Sequence, residues 1–102
     1  MTETIEMMPR CGDFAENKEI ARSIRLDEIV PALSEGKLVV LDFKGVDGAT
    51  QSFIHALISD PIRQFRDVAF ENLCYKNTNE EIKEIISMVY RYMQESLDIA
   101  DD

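Results

Sequence analysis

The sequence predicts an α/β domain, with a small, mainly parallel or mixed β-sheet packed by helices. Three observations point there. Leu38 to Phe43 is a continuous apolar run, too short for a helix, between Gly36 and Gly45. The stretches on either side of it carry apolar residues at helical spacing. The last third repeats the scheme, with a strand-like stretch from Val68 to Tyr75 and then an amphipathic helix. The resulting order, β-α-β-α-β-α, calls for parallel strands joined by right-handed crossovers.

Each element has a local reason. Thr2 to Met8 alternates polar and apolar around Ile5 and Met7, which suits a short strand, and Pro9 and Gly12 then interrupt it. Residues 1–12 thus read as an edge strand and turn, because a sheet edge tolerates a following proline. Asn17 is a fitting N-cap, and Glu19 places an acid in the first turn of a helix that carries Ile20, Ala21 and Ile24 on one face. Pro31 cannot sit in an undisturbed helix interior, so either the helix kinks or a second one starts near Asp27. Gly36 suits the position just past the helix end. The apolarity of Leu38 to Phe43 is continuous rather than alternating, which implies a central strand buried on both faces.

Thr50 to Ser59 reads as helix, with Phe53, Ile54, Leu57 and Ile58 on one side. Asp60-Pro61 reads as a break and immediate restart, an N-cap residue followed by proline at the first helical position. Val68 to Tyr75 reads as a strand and Lys76-Asn77 as a turn. Thr78, with Glu81 three residues on, matches a capping box for the last helix, whose apolar stripe is Ile82, Ile85, Ile86, Val89, Met93 and Leu97. Residues 98–102 form an acidic tail.

The 102 residues make one domain with a single core, 1–102. The net charge is −9, of which residues 1–16 hold −3 and residues 93–102 hold −4, leaving a near-neutral middle. Acidic ends disfavour nucleic acid and anionic membranes as partners. No apolar run reaches the ~20 residues that span a bilayer, and no secretory leader is evident, so the expected location is cytoplasmic. Cys11 and Cys74 fit neither a disulfide framework nor a zinc pattern, and the chain has a single histidine.

Chemical motifs are mostly missing. Gly45 and Gly48 bracket a turn but match no phosphate loop. His55 follows Ser52 by three residues without a nucleophile elbow. Asp42 could serve as a phospho-acceptor at a strand end, but Glu3 and Glu6 are badly placed as its acidic pair. An acid at that point more often hydrogen-bonds the amides of the following turn. The chain is therefore expected to be no enzyme and to need no cofactor or metal.

Leu41-Asp42-Phe43-Lys44-Gly45-Val46, followed by Ser52-Phe53, resembles STAS-like domains of a bacterial and mobile-element branch associated with histidine-kinase-like ATPases. The resemblance also includes Gly12-Asp13-Phe14 and runs to about Asn77. More distantly, the chain is similar to the anti-sigma-factor antagonists, in which a partner kinase phosphorylates a serine at the matching helix start. That position is Ser52 here, with Thr50-Gln51-Ser52-Phe53 in place of Asp-Ser-Ser-Gly. The resemblance implies a regulatory protein-protein interaction module. Its partner would be a histidine-kinase-like ATPase or a neighbouring regulator, met through Lys44, Asp47, Thr50, Gln51, Ser52 and Ile54. Independently of any family, a helix N-terminus favours a phosphate. The alternative is an oligomerising structural or inhibitor protein of a mobile element. It would act through exposed helices and acidic surface, with a homodimer as the simplest assembly.

Overall fold

A computed structural model describes the backbone of residues 1–100 and the side chains of residues 1–94. In chain order the elements are β1 (Thr2–Glu6), the single turn α1 (Met8–Cys11), β2 (Phe14–Ala15), α2 (Lys18–Ile24), a π-helical segment (Arg25–Ile29), α3 (Val30–Ser34), β3 (Leu38–Asp42), β4 (Gly48–Ala49), α4 (Gln51–Phe65), α5 (Asp67–Asn72), β5 (Leu73–Lys76) and α6 (Glu80–Ala100). The acidic tail expected over 98–102 and the place of Leu97 on the last stripe lie outside the described side chains.

The main sheet has the order β1-β3-β5 with every pair parallel, so β1 is an edge strand as its proline suggested. A second, two-stranded parallel sheet joins β2 to β4. Both crossovers of the main sheet step the same way across it, and crossovers of one hand then put their helices on one face. Burial follows that rule. Ile5, Val39, Leu41 and Leu73 share a face by register and are at most 4% exposed. On the other face Thr4 is exposed, and Val40 and Cys74 beside it are half-buried. The expectation that β3 is buried on both faces is therefore corrected: the sheet is covered on one side only.

Asn17 caps α2 as its sequence implies, accepting from the Glu19 amide at 2.9 Å. Pro31 is accommodated by a device not anticipated. The π-helical segment widens the helix over Arg25–Ile29, and α3 then begins with Pro31 at its second position, where no intrahelical N–H is needed. Gly36, at φ 75°, closes α3: its amide donates to the Leu33 carbonyl (3.0 Å) and the Lys37 amide to that of Ala32 (3.0 Å), the Schellman pattern.

α4 does not break at Asp60-Pro61; Pro61 is buried inside one 15-residue helix. The proline removes the N–H that the Leu57 carbonyl would have met. One residue earlier, the Arg25 guanidinium donates to the Ala56 carbonyl at 2.8 Å, and it lies 3.5 Å from the Asp60 carboxylate. The π-helical segment thus carries the cation that clamps α2 to the proline-bearing helix. Arg25→Ala should lower stability by about 1–2 kcal/mol in urea denaturation, the range for a charged hydrogen bond with part of its surface wet.

The strand expected from Val68 to Tyr75 is shorter, because 67–72 are helical. Arg66, at φ 48°, ends α4, and Asp67 then puts an acid in the first turn of α5. Ala69 is buried while Val68 and Phe70 remain 39% and 37% exposed, so the β-prone residues lie outside the core. α6 starts one residue later than the Thr78 to Glu81 box suggests. Asn79 is its cap, accepting from the Ile82 amide at 2.9 Å. Ile82, Ile86, Val89 and Met93 are buried in the core with α4, while Ile85 packs at its margin.

Candidate functional site

The segment from Asp42 to Thr50 is fixed from several sides before any partner meets it. The Asp42 carboxylate accepts from the Lys44 amide (3.0 Å) and from the Asn77 side-chain amide (2.8 Å). The first bond closes an Asx turn, so the turn-pinning role expected of Asp42 is the one seen. Phe43 to Val46 then makes a β-turn closed at 2.9 Å, with Gly45 at φ 87° as its third residue. The Asp47 amide donates to the Asp13 carbonyl (2.7 Å), and the Asp47 carbonyl accepts from the Asn79 side chain (2.6 Å). Gly48 has the Phe14 ring against it, where a Cβ would stand 3.0 Å from Cδ1.

These hydrogen bonds, with Asn77 first and the Lys44 amide second, hold the Asp42 carboxyl below the usual carboxylate range. A depressed folded pKa stabilises the fold above the unfolded value near 3.8 and ceases to do so as pH falls through the folded value. Asn77→Ala should therefore raise the Asp42 pKa measured by NMR and move the acid-unfolding limb to higher pH.

Thr50, not Ser52, caps α4, its Oγ1 accepting from the Phe53 amide at 3.0 Å. Ser52 is exposed, and its hydroxyl has no hydrogen-bond partner among the described residues. It lines a cleft of about 350 Å³ with Lys18, Gln51, His55 and Ala56. Lys44 lies in a different cleft of about 490 Å³ with Glu6, Met8, Pro9, Asp42 and Gly45. Of the remaining expected contact residues, Asp47 and Gln51 are exposed and Thr50 is half-buried by its capping role. Ile54 is 0% exposed and belongs to the core, so it is removed from the contact set. Its helical spacing with Phe53, Leu57 and Ile58 already carried that signal.

His55 faces Ser59, 3.5 Å from its hydroxyl, and sets its ring edge against Tyr92. Among the described residues no group of three His, Cys, Asp or Glu side chains is placed to hold a metal. Cys11 and Cys74 are free thiols, and burial pushes the Cys11 thiol up.

A family model described as a STAS-like domain of unknown function (DUF4325) matches residues 21–83. The chain belongs to this family. The matched part of the STAS-like domain begins in α2 and ends in the first turn of α6, so it contains β3, the pinned turn, α4 and β5. No curated protein and no solved structure gives a match. No helix among the described residues of the STAS-like domain is long and apolar enough to cross a membrane.

Proposed function

We propose that this STAS-like domain is a non-enzymatic regulatory module that docks a protein partner at the start of α4, with Ser52 as its phosphorylation switch. The partner class is a histidine-kinase-like ATPase or another regulator acting with it in the cytoplasm. One observation carries the reading: Thr50 takes over the cap, which leaves the Ser52 hydroxyl exposed and uncommitted at the second position of the helix. A phosphate there gains from the free amides of the helix end and from Lys18 across the cleft. It adds about two negative charges to the surface, enough to repel an acidic partner face. Gln51 lines the same cleft, and the exposed Lys44 and Asp47 belong to the hydrogen-bonded turn that leads into α4, which holds them pre-organised for a partner.

In an affinity pull-down from host extract, wild-type protein should retain the partner, and Ser52→Asp should lose most of it while its circular dichroism is unchanged. Lys44→Glu should weaken retention as well. Equal capture by all three proteins refutes this choice of surface.

A second reading, an oligomerising structural or inhibitor protein, draws on the open sheet face around Val40 and on Met88 and Tyr92, which are 43% and 62% exposed on α6. It requires light scattering to show a mass that rises with concentration; a concentration-independent monomer excludes it.

A further inference from the structure

β5 is the second edge of the main sheet, and among the described residues only β3 pairs with it. The Phe43 amide donates to the Lys76 carbonyl at 2.9 Å. Backbone groups alternate in direction along a strand, so Lys76 and Cys74 turn theirs toward β3. Tyr75 therefore turns its N–H and C=O outward, as does the Leu73 carbonyl, and none of them meets a described backbone partner. A bare strand edge of this kind is a template for one more strand.

Beside that edge runs a groove of about 540 Å³ between β5 and α6. Ile86 lies at its base and is 7% exposed, and Tyr75 and Tyr90 form a wall with their hydroxyls 2.7 Å apart. Phe70 extends this aromatic wall, its ring 5.6 Å from that of Tyr90. The charged residues lining the groove are Lys83 and Arg91, both basic, in a chain whose net charge is −9. Neither has an ion-pair partner among the described residues. Burial keeps both tyrosines protonated. One hydroxyl proton closes the pair, and the other remains free to donate to an incoming acceptor.

We propose that β5 and the β5–α6 groove bind an extended acidic peptide segment of a partner protein as an added strand. The peptide backbone pairs with Tyr75 and the Leu73 carbonyl. Its alternate side chains enter the groove, an apolar one over Ile86 and carboxylates toward Lys83, Arg91 and the tyrosine hydroxyls. An acidic segment is favoured because it meets two cations that have no ion-pair partner among the described residues, whereas a basic one meets them as repulsion. The groove shares no lining residue with the Ser52 cleft, though Arg91 and Gln51 meet in a smaller cleft between them; shifts on β5 and loss of capture by Ser52→Asp therefore report on the two proposals separately.

The test is an NMR titration of the 15N-labelled full chain with three synthetic probes. These are the blocked peptide Glu-Thr-Val-Thr-Asp, which sets Glu, Val and Asp on one face of a strand, its lysine counterpart Lys-Thr-Val-Thr-Lys, and the acidic peptide with alternate N-methylated amides. The acidic peptide should shift the amides of Tyr75 and its β5 neighbours, and the lysine peptide should not. N-methylation, which removes the strand-pairing N–H groups, should abolish binding. Lys83→Glu with Arg91→Glu should raise the Kd about tenfold, as two exposed attractions become repulsions. The double variant lies on the exposed side of α6, and its circular dichroism checks the fold. The proposal is overturned by no shift with any probe, by equal binding of the lysine or N-methylated peptide, or by shifts confined to residues 44–54.

Discussion

Leu41→Ala should cost about 2–5 kcal/mol in urea denaturation, while Val40→Ala, one residue away on the same strand, should cost less than about 1 kcal/mol. Leu41 is 0% exposed on the covered face of β3, between Ile5 and Tyr75 in register. Its truncation leaves a cavity in the hydrophobic core. Val40 stands between Thr4 and Cys74 on the open face and is half-buried. A domain of this size has a total stability of about 5–15 kcal/mol, so the first substitution removes a large share of it. Equal losses at the two positions would mean that both faces are covered, as the unbroken apolar run first implies.

Gly45→Ala should destabilise by about 1–3 kcal/mol, more than Gly36→Ala, which should cost about 1 kcal/mol. Both glycines have positive φ, 87° and 75°, so both alanines carry backbone strain. The difference lies in the surroundings. A Cβ on Gly45 would stand 3.0 Å from the Met8 Cγ, whereas one on Gly36 meets nothing within 4 Å. Because Gly45 is the third residue of the turn from Phe43 to Val46, its replacement should also perturb the amide resonances of Lys44 and Val46. A thermal-unfolding comparison of the two variants with wild type decides this, since equal losses would leave the Met8 contact without effect.

Much of this fold was legible in local chemistry. Asn17, Gly36, the β3 core and the stripe from Ile82 to Met93 act as their types and spacings imply, because capping and periodicity are short-range effects. The misreadings come from tertiary context and from backbone turns that residue type alone does not announce. Pro61 looks like a helix break, yet α4 continues through it, with Arg25 of another helix bonded to the Ala56 carbonyl at that point. Val68 and Phe70 look like strand residues, but an Arg66 of positive φ starts a helical turn there. The run from Leu38 to Phe43 looks doubly buried, but one-way crossovers leave its second face open.

At the candidate site the same division holds. The pinning of the turn by Asp42 follows from a two-residue relation and is seen as expected. The partner of Asp42 on the far side, Asn77, is 35 residues away and carried no sequence signal. The hydroxyls of Thr50 and Ser52 both stood at a helix start, and only the observed bond to the Phe53 amide separates cap from free serine. Ile54 is close to them in sequence, but its periodicity with Phe53, Leu57 and Ile58 assigns it to the core, where it lies.

The most direct measurement is to incubate the full chain with the protein that the pull-down retains, magnesium and ATP, and to locate any phosphoryl group by tandem mass spectrometry. The expected result is one phosphoryl group on Ser52, absent from Ser52→Ala, with the modified protein released from its partner. An unmodified Ser52 together with a Ser52→Asp variant that binds the partner as tightly as wild type would contradict the switch at the start of α4.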